Sequence, residues 1–244
     1  MRLDSREQVV VSLHGLILAA LSVLAAEVQA PACRGLGLDT PPIVEVTAKR
    51  NRAPLAIYAL GFSKTGALAW LEARQGFDSD SYNWLLSVVE LNRDRPLAVR
   101  EFLLRSANVQ ALCARYEKPI RRLLDKFGIE RGAPVALEQP DPTRDPTGID
   151  LVAGRRDRES HKTAYRVRMQ GKDGSKFIGT TWRVDLDSGQ PPVGPPKLMG
   201  ILRSPFEARV AVLIVQTMTG DEGAEVATVK VFGGRTDQGW RPSE

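Results

Sequence analysis

Hydrophobic and polar positions change rhythm twice along this chain. The run VVVSLHGLILAALSVLAA, Val9 to Ala26, holds no formal charge and one histidine, His14. Ser5-Arg6-Glu7-Gln8 before it has the spacing of a capping box and Pro31 stops it, so the pattern predicts one continuous helix. From about residue 55 to 128, apolar residues recur at i, i+3, i+4 and i+7, the signature of helices that bury one stripe. Tyr82, Leu85, Leu86 and Val89 form one such set, and Val99, Phe102 and Leu103 another after Pro96. Val109, Leu112, Cys113 and Tyr116 form a third; Ile120, Leu123, Leu124 and Phe127 form a fourth between Pro119 and Gly128.

Later the period becomes two. Tyr165, Val167 and Met169 alternate with Arg166 and Arg168, and Ile178 to Leu186 alternates likewise. Lys172-Asp173-Gly174 between them signals a hairpin. Val210 to Val215 is continuously apolar, as in a strand covered on both faces, and Val226–Phe232 follows a turn at Gly220-Asp221-Glu222-Gly223. Ile43–Thr47 reads as one short strand in a connector punctuated by Gly35, Gly37 and Pro41-Pro42. The expected class is therefore α+β: an N-terminal hydrophobic helix, a helical layer, then a C-terminal antiparallel sheet of about four strands. The divisions are 1–30 for the hydrophobic helix, 31–138 for the helical segment, 139–162 for a Pro/Arg-rich linker or long loop, and 163–244 for the sheet.

The apolar run admits three readings. Its length reaches the lower edge of a membrane span. Ser12, Gly15, Ala19, Ser22 and Ala26 make a stripe of small residues that lets a second helix approach closely. Val28-Gln29-Ala30 after it supplies small residues in the cleavage positions of an export signal. A helix buried in a core is the third reading.

Composition adds charge to this picture. The 244 residues carry 34 Lys+Arg against 29 Asp+Glu, a net charge of +5, and most of the basic residues are Arg. Arg166, Arg168, Lys176 and Arg183 on the first hairpin are the candidate phosphate contacts of a nucleic-acid reading. Alternation places Tyr165 and Trp182 on the face opposite those arginines, whereas sheet-borne nucleic-acid binders interleave aromatics with their cations.

The chain offers little else chemically. Its two cysteines, Cys33 and Cys113, cannot make a zinc site alone; in an exported protein they could pair, but Cys113 lies on an apolar face and reads as a buried thiol. His14 and His161 are the two histidines, and neither belongs to a catalytic set. Gly61-Phe62-Ser63-Lys64-Thr65 lacks the glycines of a phosphate-binding loop, and Ser63 reads as the cap of a helix through Trp70. Asp78 and Asp80 read as a helix start rather than a cation site. No cofactor is expected.

Residues 78–118, DSDSYNWLLSVVELNRDRPLAVREFLLRSANVQALCARYEK, together with Thr163–Arg168, resemble the bitopic inner-membrane scaffold subunit of type IV secretion and conjugation machines. That resemblance implies a nuclear-transport-factor-like domain exported across the inner membrane and working through other protein subunits, with self-association. The first functional expectation is thus a non-enzymatic, membrane-anchored scaffold of a cell-envelope complex. The alternative is a cytosolic, Arg-rich, nucleic-acid-binding subunit of a nucleoprotein assembly, with Val9–Ala26 inside its core.

Overall fold

The computed structural model describes residues 31–38, 40–47, 54–75, 81–131, 135–139, 148–171, 174–188, 190–219, 224–239 and 241. The expected helix over Val9–Ala26, its stripe of Ser12, Gly15, Ala19, Ser22 and Ala26, and the pair Asp78 and Asp80 lie outside them.

Strands replace the expected helical layer. After a 3-10 turn at Pro31–Leu36 come β1 (Val44–Val46), β2 (Leu55–Ser63), β3 (Ala67–Gln75), β4 (Tyr82–Glu90) and β5 (Arg95–Leu104). They pair antiparallel in the order β1-β2-β3-β4-β5, and β6 (Ile129–Glu130) pairs with β2. α1 (Val109–Lys126) is the one α-helix among the described residues. It runs through Pro119, joining two stripes that the sequence pattern separates. The α+β class is corrected: the described residues form a mostly β architecture of three antiparallel sheets with a single helix.

The correction has a physical cause. In β4, Trp84, Leu86 and Val88 face α1, while Leu85, Ser87 and Val89 face the other way. A strand covered on both sides loses its period of two, and Tyr82, Leu85, Leu86, Val89 then imitates a helical stripe. β3 behaves likewise: Ala67, Ala69, Leu71 and Ala73 go to one side, Leu68 and Trp70 to the other. Within the segment 78–118 that carries the resemblance to the secretion scaffold, the described residues 81–118 fold as β4, β5 and the start of α1 rather than as helices throughout.

Two further sheets complete the architecture. β7 (Gly148–Asp157), β8 (Lys162–Gly171) and β9 (Gly174–Val184) form one; β10 (Lys197–Arg203), β11 (Arg209–Thr219) and β12 (Glu225–Arg235) form the other. β7 therefore occupies part of the segment expected as a linker.

The elements stack as four layers with three cores between them. Leu112, Cys113, Ile120 and Leu124 of α1 pack on Leu71, Trp84, Leu86 and Phe102. The opposite face of that sheet meets β10–β12 through Leu55, Ile57, Leu68, Trp70, Leu213 and Val215. The far face of β10–β12 meets β7–β9 through Val210, Val212, Ile214, Val167 and Met169. Each fully buried aliphatic side chain contributes about 1.5–3 kcal/mol, so these cores are the main source of stability.

Two polar contacts and one covalent bond fix the layers. Gln216, buried on β11, donates to the carbonyls of Trp182 (3.1 Å) and Gly194 (2.9 Å) and accepts from the Thr181 hydroxyl. Asp94 in the β4–β5 turn has φ 48 and accepts the Gly233 N–H at 2.7 Å. Cys33 and Cys113 are joined by a disulfide, Cα atoms 5.6 Å apart, which corrects the reading of Cys113 as a plain thiol. No helix among the described residues is long and apolar enough to cross a membrane, so the membrane-anchored description is withdrawn.

Two outcomes follow from this packing. The disulfide spans a sequence separation of 80. Replacing both cysteines with serine is expected to lower unfolding free energy by about 4 kcal/mol, from the loop entropy restored to the unfolded chain; urea titration measures it. At Gly233 a Cβ would sit 2.0 Å from the Leu91 carbonyl oxygen. Gly233→Ala should therefore cost about 1–3 kcal/mol, read as a shift in the same titration with unchanged slope.

Candidate functional site

Two surface regions gather side chains able to engage a ligand. The first is a cleft of ≈ 370 Å³ between β3–β5 and β12, lined by Trp70, Glu72, Leu85, Val99 and Lys230 among others. Its one fully buried carboxylate is already satisfied. Glu72 accepts from the Trp70 indole (2.9 Å) and from Arg74 (3.0 Å). Lys230 donates to the Thr181 hydroxyl at 2.7 Å, and burial lowers the pKa of its ammonium group. Asp94 closes one end; burial raises its carboxyl pKa, and the Gly233 N–H opposes that shift. Polar groups so bound to one another are structural, not poised for acid–base work.

The phosphate-loop lookalike is a hairpin turn. Ser63 ends β2, and its hydroxyl accepts the Ala67 N–H at 2.9 Å, so it caps no helix. Lys64 there pairs with Glu130 at 3.0 Å. Among the described residues no group of three His, Cys, Asp or Glu could hold a metal ion.

The second region is the outer face of β7–β9. Here the register overturns the expected separation of arginines from aromatics. Arg166 lies opposite Thr180, Arg168 opposite Phe177 and Ala164 opposite Trp182. Directly opposed residues share a face, so Trp182 and Phe177 stand with Arg166 and Arg168. Arg183 lies opposite Thr163, on the other face with Tyr165. A bulge between Val167 and Arg168 inserts Ile178 and carries Trp182 to the arginine side, where Phe177 already stands opposite Arg168; alternation alone gives no warning of it. Phe177 is 52% exposed and Trp182 47%, high values for aromatic side chains. The Arg166 guanidinium lies 5.3 Å from the Phe177 ring centroid.

The four candidate phosphate contacts are thus dispersed, and most are occupied. Arg168 makes a two-pronged pair with Asp150, its Nε at 2.9 Å. Lys176 donates to the carbonyls of Arg235 and Gln238. Arg183 pairs with Asp185 at 3.0 Å, inside a network where Asp185 and Asp187 also hold Arg156, and His161 meets Asp187 at 2.9 Å. Arg166 has no carboxylate partner among the described residues. Exposed Phe177 and Trp182 are the surface residues that sequence reasoning missed; a search for large apolar residues at the polar positions of a hairpin would have found Phe177.

Among the described residues, the fold and these surfaces define a layered, mostly β architecture with a single covering helix and an aromatic–arginine outer face. Comparison with protein-family models, with curated proteins and with solved structures finds no match.

A pH outcome follows from Asp94. A carboxyl whose folded pKa is raised makes folding take up protons, so stability falls as pH rises from the unfolded value through the folded one. Asp94→Asn keeps the oxygen that accepts from Gly233 and tolerates the positive φ. The variant should lose that acid-side dependence and be no less stable than the parent at pH 7, as thermal melts from pH 3 to 7 will show.

Proposed function

We propose that this chain is a non-enzymatic protein-binding module, one subunit of a larger assembly, which engages its partner through the outer face of β7–β9. The observation that carries this reading is the cluster of Phe177, Trp182 and Arg166 on one exposed face. Aromatic residues and Arg are the types concentrated at the centres of protein interfaces, where they combine large contact area with little lost freedom. Arg166 sets the partner's chemistry: an apolar protein surface bordered by a carboxylate, which a guanidinium engages in a two-pronged pair.

Nucleic acid is the competing occupant of such a face. Phosphate binding needs several cations available together. Arg168, Lys176 and Arg183 are instead committed to Asp150, to backbone carbonyls and to Asp185. A protein partner is therefore favoured.

Photo-crosslinking in cells from a benzophenone amino acid at position 182, with position 117 on α1 as control, should give one discrete protein adduct from 182 alone. That protein, purified, should bind the parent chain saturably. Trp182→Ala combined with Arg166→Ala should weaken binding at least 30-fold, since residues of this kind cost about 2 kcal/mol or more apiece. Circular dichroism should be unchanged. Saturable, salt-dependent binding of an oligothymidylate by the parent, abolished in the double variant, would overturn the reading.

A further inference from the structure

We infer that the Cys33–Cys113 bond forms in an oxidising compartment and that residues 1–30 deliver the chain there as a cleaved export leader. Cys33 is 2% exposed and Cys113 1%, and both belong to the core between α1 and the large sheet. A bond so placed is closed to attack by an outside thiolate, so it is a structural staple rather than an exchanging redox pair. Structural staples persist where thiols are not kept reduced. Closing the bond takes one proton from each thiol and two electrons in all. Both pass to a disulfide-bearing protein oxidant of that compartment, whose own disulfide opens to two thiols.

The N-terminal sequence fits this delivery. Val9–Ala26 is an uncharged apolar run, and Ala25 and Ala26 at its end, with Ala30 and Ala32 just beyond it, supply small residues. The compact unit that contains the disulfide begins at Ala32. A cut between Ala25 and Ala32 therefore leaves Ala32–Glu244 whole, with Cys33 still positioned for Cys113. Two independent features meet at one point in the chain: an apolar run followed by small residues, and a staple that begins one residue into the folded unit.

The full chain, expressed in a bacterium with a separable periplasm, tests this directly. The periplasmic product is expected to start between Ala26 and Ala32 by intact mass. No cysteine should alkylate under denaturing conditions until a reductant is added, after which both should. Leu18→Arg with Leu21→Arg, which places two charges in the apolar run, should leave an unprocessed cytoplasmic chain whose two cysteines alkylate at once. Three results would each overturn the inference: a parent chain kept in the cytoplasm with its N-terminus intact, an exported chain with two free thiols, or normal processing of the double variant.

Discussion

The large sheet is covered on both faces, and the rest of the structure depends on that coverage. β3 shows it most sharply. Ala67, Ala69, Leu71 and Ala73 lie under α1, and Leu68 and Trp70 lie under β10–β12. A single helix cannot hide both sides of five strands, so a second sheet is required, and that sheet has its own far face to bury. β7–β9 meets this need. Its outer face is then the last in the stack, and it is where the exposed aromatics stand.

Small residues under α1 make the first interface possible. Alternating alanines on β3 let the helix come down close to the sheet, while Trp84 and Phe102 on β4 and β5 fill the space beside it. The disulfide fixes α1 to the turn that precedes β1, so both ends of the segment containing the large sheet's long strands are tied together. This is a cross-link across the outermost layer, where the helix has one face in water and least packing to hold it.

The sequence exposed some of this order and concealed the rest for identifiable reasons. Alternation at Tyr165–Met169 and the Lys172-Asp173-Gly174 turn placed β8 and β9, because those strands bury only one face. Val210–Val215 announced a strand with two covered faces, as β11 has. β2 to β5 were misread as helices because their second covered face erased the period of two, and β3, ALAWLEARQ, is built of good helix formers. Tertiary burial overrode that local preference. Glu72, in the middle of such a strand, has its charge met by Trp70 and Arg74 two residues to either side, a spacing that means nothing until the strand is known. The aromatic–arginine face was concealed by a one-residue bulge at Ile178, which no periodicity reveals. The disulfide was open in the sequence only as a possibility, since pairing two cysteines needs the distance between them.

Gln216 has a consequence that reaches beyond packing. Its amide grips the carbonyl of Trp182 from beneath, at the same residue whose indole faces solvent on the other side. Thr181, next to it, is gripped by the same side chain. The backbone beneath the exposed indole is thereby immobilised before any partner arrives. A loop-borne tryptophan would have to surrender that freedom at each encounter, and affinity would fall by the entropy surrendered. Here the ordering is done during folding, so a ligand of this face would meet a preformed rigid template and less freedom would be lost on binding.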